Sequence, residues 1–295
     1  MSYKLEQLGE ETLILKGLPP TLIRLEDEVA YVVDPGHPNE RGVRLKKILQ
    51  NLDIKDIIVI LTHSHNDHIL ATTQLQPSIV YVPPAEISAI QNFKLRSFIS
   101  YGFIYTKGLS LLEAGNIEKC RELETGKSYG GFIPVSLPGH TFGHHGVLTS
   151  DNILYVSDAM FGDKLLDKVG IPFVQDHVEF LESLQKISEF SRYAEKIILA
   201  HGPRIEKTGD LKHILDANRA RILEIKEGVL SLLQENTLHV EEITSTLLIK
   251  YNIKVTATSL LLSLPLVKSI TSELYKEGLV RPILADDVLK WRKQA

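Results

Sequence analysis

The chain is poor in sulfur: 295 residues contain one cysteine, Cys120, and two methionines. A single thiol excludes an internal disulfide framework and any zinc module built on several cysteines. It fits a reducing compartment. Charge of one sign is also missing. Lys and Arg number 33 against 37 Asp and Glu, a net charge of −4, so bulk charge points to neither nucleic acid nor a membrane surface. No apolar run reaches the length of about 18 residues that a membrane-spanning helix needs. The opening stretch MSYKLEQLGEETLILKG is too charged for the apolar segment of a signal peptide, and the expected location is cytoplasmic. Repeats and low-complexity segments are absent too. What remains is 43% hydrophobic and 24% charged, ordinary for a globular protein. At roughly 150 residues per domain, the length suits about two domains.

Strands and helices can be placed coarsely. TLILKG, TLIRLED and VAYVVDPG read as short strands separated by turns. A helix is expected from Asn39 as cap through about Leu52. DIIVIL is a short β-branched apolar run, the mark of a strand buried on both faces. It leads straight into THSHNDH, which holds His63, His65, Asp67 and His68. A short helix should follow His68, and SIVYV is another strand. From about Ala85 to Lys127 the pattern is mixed and aromatic, read as helices and a lid-like insertion. FIPVSLPGH brings a strand to His140. HGVLTS and ILYVSDAMF form a hairpin around Asp151 and Asn152, with Asp158 just past its second strand. VEFLESLQKISEFS is a helix, and KIILAHGP is a strand that ends at His201. Four times an apolar strand ends and a His or Asp follows. Strand ends on one edge of a sheet converge, and ligands in layered α/β proteins collect at such ends.

Those residue types suit a metal pair. Imidazole and carboxylate bind zinc, iron and manganese. In an extended segment residues two apart point the same way, so His63 and His65 can grip one ion together. Asp67 and His68, past the turn, can face a second. One distant His per ion would complete each set, and an aspartate with two oxygens can bridge. Two ions about 3.5–4 Å apart lower the pKa of a shared water toward neutrality, which supplies a hydroxide nucleophile without Ser or Cys.

THSHNDH resembles the His-x-His-x-Asp-His signature of the metallo-β-lactamase superfamily. The resemblance runs over about residues 10–205 and includes VVDPG, LPGHTFGH, VSDAMFG and LAHGP, all in the family's order. It implies an α/β (α+β) fold, the four-layer αββα sandwich, with metals at one sheet edge. It implies two divalent ions, zinc first with iron or manganese as alternatives. His63, His65 and His140 would hold one; Asp67, His68 and His201 would hold the other, with Asp158 bridging. Asp67 is also the candidate catalytic acid/base group. Asp34 would lie behind the ligands, holding them by hydrogen bonds, and His144 would stand beside them. His145 faces elsewhere. His37, His177, His213 and His239 read as ordinary. The aromatic stretch Phe93–Tyr105 reads as core, although the family builds lids there. Lys94, Arg96 and Lys107 read as solvated charges.

The sandwich is expected over residues 1–208, followed by a helical module over 209–295. That module combines a helix through Ile222–Leu233, a second at VEEITSTLLIKY, and a third capped near Ser263 with Pro265 in its first turn. Gly278 ends the third helix, and LVRPIL makes a short strand or wing. The order resembles the small winged-helix domain of the lactamase-β-like subgroup related to glyoxalase II. Its nearly balanced charge departs from the basic stripe of a nucleic-acid surface. Three functions therefore stand, in this order. The first is a metal-dependent hydrolase that uses a dinuclear-site hydroxide on a small ester or thioester. The second is an endoribonuclease or phosphodiesterase acting on single-stranded RNA. The third is a regulator whose metal site senses a ligand while its winged helix binds DNA or a partner. A homodimer stays open, and no membrane partner is expected.

Overall fold

The computed structural model describes residues 5–37, 40–102, 116–205, 208–285 and 287–294. Two twisted sheets lie face to face. The first runs through β1 (Leu5–Gln7), β2 (Leu13–Leu15), β3 (Thr21–Glu26), β4 (Val29–Val33), and then α1 (Glu40–Gln50) leads to β5 (Asp56–Ile60). After α2 (Asn66–Ile69) and α3 (Thr72–Leu75) come β6 (Ile79–Val82), α4 (Ile87–Gln91), α5 (Phe93–Tyr101) and β7 (Cys120–Glu122). These seven strands pair in sequence order, antiparallel from β1 to β4 and parallel from β4 to β7.

The second sheet holds β8 (Phe132–Ser136), β9 (His145–Thr149) and β10 (Ile153–Ser157), followed by α6 (Asp163–Val169) and α7 (His177–Phe190). It is completed by β11 (Lys196–Leu199) and β12 (Arg204–Ile205), in the order β12-β11-β10-β9-β8. The hairpin expected at Asp151 and Asn152 is the β9–β10 connection.

Side-chain alternation builds the layers. Ile153 and Tyr155 of β10 point between the sheets and meet Ile14, Leu22, Val33 and Ile60 of the first sheet. Leu154 and Val156 point the other way, onto Phe180, Leu184 and Ile187 of α7. On the far side of the first sheet, Leu45 and Leu49 of α1 and Leu75 of α3 cover Val32, Val59 and Val80. Central strands are therefore apolar on both faces, which is why their sequences read as unbroken hydrophobic runs. The result is the expected αββα order.

The C-terminal part opens with α8 (Thr208–Glu235), continues through α9 (Val240–Lys250) and α10 (Ala257–Lys276), and ends in the antiparallel pair β13 (Val280–Ala285) and β14 (Val288–Lys293). Its apolar core is continuous with the outer face of the second sheet, since Ile214, Ile222, Ile243, Leu266 and Ile270 belong to the same cluster as Leu154 and Phe180. His177, an ordinary histidine in the sequence reading, ties α7 to α10. Its ring contacts Ser269 Oγ at 2.8 Å through Nδ1 and Glu273 at 2.6 Å through Nε2.

Three expectations shift. The third C-terminal helix starts at Ala257, not near Ser263, and is capped by Thr256, whose Oγ1 accepts from Ser259 N–H at 3.1 Å. Ser in place of Glu or Gln at the third helical position hid this capping box. Pro265 then lies inside the helix, a fault of about 3 kcal/mol in an exposed helix. Here buried Leu261, Leu264, Leu266, Val267 and Ile270 hold the helix in place. The short helix at the first histidine motif begins at Asn66 and contains Asp67 and His68 rather than following them. Asn39 as a cap, and the part of the proposed lid carrying Phe103, Tyr105 and Lys107, fall outside the described residues. Among the described residues no helix is long and apolar enough to cross a membrane.

One carboxylate pins the β9–β10 turn to the first sheet. Asp151 accepts from the backbone N–H of Glu11 and Thr12, at 3.0 and 2.9 Å, and from the hydroxyls of Thr12 and Thr149. Burial opposes its charge, but these donors prevail and pull its pKa down to about 2. A depressed carboxylate contributes stability above the unfolded value of about 3.9, and that contribution fades as pH falls through the folded value. Asp151→Ala is expected to lower the unfolding free energy by about 1–3 kcal/mol at pH 7. In acid denaturation between about pH 4 and pH 2 the gap to wild type should narrow. A gap constant with pH would assign the loss to packing instead.

Candidate metal centre

The four strand ends meet, but they do not share one sheet. β5 of the first sheet delivers His63, while β8, β10 and β11 of the second deliver His140, Asp158 and His201. The convergence is a property of the sandwich. Two backbone features aim it. Asp34 at the end of β4 and Ser157 at the end of β10 both have positive φ, 47° and 52°, a conformation unfavourable for residues with a side chain. The β10–β11 register shifts at Ser157, which turns Asp158 off the strand into the site. Gly139, before His140, has φ 122°. A Cβ there would stand 2.3 Å from the backbone nitrogen of Phe180. Only glycine lets the His140 loop press this closely on α7.

The seven expected side chains form two groups. Donor atoms of His63, His65, His140 and Asp158 lie within 4.8 Å of one another, and so do those of Asp67, His68 and His201. Asp158 joins them. Its Oδ2 is 3.7 Å from His63 Nε2, 3.6 Å from His140 Nε2 and 3.1 Å from His68 Nε2. Its Oδ1 is 3.7 Å from His201 Nε2. His65 Nδ1 lies 2.9 Å from His140 Nε2, and Asp67 Oδ2 lies 3.1 Å from His201 Nε2.

Hydrogen bonds behind these groups set which ring nitrogen faces inward. His140 Nδ1–H donates to the Phe173 carbonyl at 2.9 Å, so Nε2 carries the lone pair. His68 Nδ1–H donates to Asp34 Oδ2 at 2.8 Å. Thr62 Oγ1–H also donates to Asp34 Oδ2, at 2.7 Å, and its oxygen accepts from His63 Nδ1–H at 3.0 Å. Asp34 thereby orients two rings, one directly and one through Thr62. Tyr155 and Ser157 add their hydroxyls to the same carboxylate. His144 stands beside the ligand positions, its ring centroid 4.9 Å from that of His63. Its Nδ1–H donates to the Leu137 carbonyl at 3.1 Å, and its Nε2 accepts the Asp158 backbone N–H at 3.2 Å. His144 thus fixes the backbone that carries the shared carboxylate. His145 turns away, to Gly143 and Thr125.

Glu86 was not foreseen. It is 3% exposed, and its carboxylate accepts Ser64 N–H at 3.1 Å and Gly143 N–H at 2.8 Å. It clamps the loop of His63 and His65 to the loop after His140. Nothing in the sequence marks it, because it sits in the irregular stretch PPAE and no motif includes it.

Electrostatics fit a cationic occupant. Burial lowers the pKa of His63, His140 and His144, and brings His65 down to about 3. They are neutral, as metal ligation requires. Burial also opposes charge on His68 and His201, yet the pKa of both is raised. Asp34 and Asp67 do this for His68, and Asp158 with Asp67 for His201. Asp67 and Asp158 are in turn held below the ordinary carboxylate range despite burial, Asp67 chiefly by His68 and Asp158 chiefly by His201. Asp67 and Asp158 thus stand among the imidazoles as carboxylates. His63 Nε2 and Asp158 Oδ1 are buried and meet no hydrogen-bond partner among the described residues. Buried polar atoms are normally satisfied. Orphans that point at a common space, among imidazoles and carboxylates, fit divalent cations.

One side of the centre is open. The His63, His68, His140 and Asp158 side chains are 4% exposed or less, whereas Asp67 and His201 are 38% and 25% exposed. They face a cavity of about 500 Å³. Its walls come from α5, the stretch from Phe161 to Phe173, and the start of α10. The C-terminal module therefore covers the site. Arg96, expected in solvent, is 4% exposed and lines this cavity, with a guanidinium hydrogen bond to the Ala89 carbonyl.

Comparison with known proteins agrees with this geometry. Residues 20–202 match the family described as the Metallo-beta-lactamase superfamily. The Hydroxyacylglutathione hydrolase of Vibrio campbellii is 27% identical over 188 residues, 61% of this chain. The match takes in 60% of that relative, less than two thirds of its length. Among solved structures, a beta-lactamase domain protein from Burkholderia ambifaria aligns with 98% of this chain and 93% of its own. Its TM-score is 0.73 at 17% identity. A metallo-beta-lactamase family protein from Thermus thermophilus aligns over 95% and 94% of the two chains, with TM-score 0.62 and 17% identity. The DIM-1 metallo-beta-lactamase covers 73% of this chain and 97% of its own, with TM-score 0.55 and 15% identity. These structural likenesses extend to the fold.

Asp34→Asn replaces one of the two acceptor oxygens that fix His68 and, through Thr62, His63 with an NH2 donor facing other donors. It is expected to weaken metal binding about 10–100-fold in a competition titration against a chelator. Unchanged affinity would mean that the rings hold their orientation without that carboxylate.

Proposed function

We propose that this chain, which belongs to the metallo-beta-lactamase superfamily, is a metal-dependent hydrolase that holds two divalent ions and cleaves small-molecule thioesters or esters. The observation that carries this reading is Asp158, whose carboxylate reaches both groups of ligand-type side chains beside a cavity, Oδ2 facing His63, His140 and His68 and Oδ1 facing His201. His63, His65 and His140 would hold one ion and Asp67, His68 and His201 the other, with Asp158 between them. Zinc suits this mix of imidazole and carboxylate, and iron or manganese are compatible with it. When bound, such ions supply Lewis acidity and a water ionised near neutral pH.

The chain's own groups then have defined tasks. Asp34, Thr62 and the Phe173 carbonyl keep the ligand rings in one tautomer. Asp67 is ionised at neutral pH and stands on the open side, where its Oδ2 can take a proton and pass it to the departing group. Phe161 and Phe173 exclude water, the Phe173 ring lying 4.8 Å from His65 and 5.5 Å from His140.

Two observations support a thioester or ester over RNA. The relative from Vibrio campbellii is named for an acyl group carried on glutathione, and an acyl group on the glutathione sulfur is a thioester. A phosphodiester chain calls for a row of cations, while this cavity is walled largely by hydrocarbon, with Arg96 and Lys168 as its Arg and Lys residues.

Metal analysis combined with a panel of thioesters, esters and phosphodiesters tests the reading. About two ions per chain are expected. Thioester or ester turnover should fall by at least about a hundredfold in His65→Ala, vanish with chelator and return on re-addition of metal. A protein that carries its ions yet turns over no thioester or ester, or that cleaves RNA instead, would overturn it.

A further inference from the structure

The chemistry proposed above uses one end of the cavity. The remainder, running away from Asp67 and His201 between α6 and the start of α10, has no task yet. Its lining includes Phe161, Leu165, Val169 and Ile171 in and beside α6, and Ile253 and Leu262 of the C-terminal segment. Three of the polar side chains there are engaged within the protein, while Lys168 of α6 and Thr258 of α10 also reach the lining. Thr256 and Ser259 satisfy each other in the capping box of α10, and Ser263 Oγ donates to the Ile171 carbonyl at 3.3 Å. A hydroxylated acyl group placed against these apolar side chains would give up its water for hydrocarbon, an unfavourable exchange. An aliphatic chain would gain from the same burial. Size argues the same way. Cavities of about 300–1,000 Å³ hold drug-sized ligands, and this one, at about 500 Å³, has room for a chain beyond the reacting bond.

We infer that the acyl half of the substrate is an extended hydrocarbon chain, with its carbonyl at Asp67 and His201 and its tail between α6 and α10. This rests on the hydrolase reading for the identity of the reacting bond, while the tail pocket rests on the wall residues alone. The carboxylate released by hydrolysis keeps the same chain, so linear alkanoates are product mimics that report on the pocket without turnover. The C-terminal segment then contributes to specificity, because Ile253 and Leu262 line the tail pocket.

The experiment is calorimetric titration of the zinc-loaded full chain with butanoate, hexanoate, octanoate, decanoate and dodecanoate. Affinity should rise roughly three- to fourfold per added methylene until the cavity is full, with an increasingly negative heat-capacity change. Leu262→Trp fills the pocket from α10 and Val169→Trp fills it from α6. In each, the ratio of dodecanoate to butanoate affinity should drop at least about tenfold, and either variant suffices if the other fails to fold. Affinity flat with chain length, or a ratio unchanged in a folded variant, would overturn the inference. The two readings fail separately. A flat series with intact thioester turnover removes the acyl pocket and leaves the hydrolase. The expected slope without turnover of any ester or thioester leaves a hydrocarbon-binding site and removes the hydrolase.

Discussion

A single buried carboxylate organises this molecule. Asp34 ends a strand of the first sheet, is wholly out of contact with solvent, and accepts hydrogen bonds from both sheets at once. Thr62 and His68 approach from the first sheet, and Tyr155 and Ser157 from the second. A lone buried anion is costly. Asp34 is tolerated because every neighbour is a donor. That requirement fixes the relative placement of the two sheets, the rotation of the His68 ring and, through Thr62, that of His63. Metal affinity and sandwich packing are therefore linked through one group. It faces neither the solvent nor the substrate.

Much of this was legible in the amino-acid order. Buried strands announce themselves as short β-branched runs, and the residue after each was a His or Asp, so His63, His140, Asp158 and His201 could be read as a set. The αββα layering followed from resemblance, and the structure bears it out. Other features left no periodic trace. Convergence from two sheets cannot be read from strand order alone. Glu86 is invisible because a single buried glutamate in a loop has the same local sequence as an exposed one. The start of α10 was misplaced because Pro265 gives a strong local signal, whereas the Thr256–Ser259 pair gives a weak one. Tertiary burial of the Leu-rich face overrode the proline.

The C-terminal segment was legible as helices and a hairpin, but not as part of the site. Its core merges with the outer face of the second sheet, and the clamp from His177 to Ser269 and Glu273 draws α10 against α7. Glu273 also meets Lys226 of α8 at 2.7 Å, so three helices share one polar junction. That junction anchors the C-terminal half of α10, while Ser263 ties its first half to the Ile171 carbonyl beyond α6.

The position of α10 along the chain has a consequence for biosynthesis. A polypeptide emerges from the ribosome N-terminus first, and its parts fold in that order. His201, the last of the seven ligand-type residues, leaves the ribosome well before Ile253 and Leu262. For an interval every donor atom has been made while one wall of the cavity has not. The cavity is thus completed only when the last part of the chain has been made and has docked, although every ligand-type residue precedes it in the sequence.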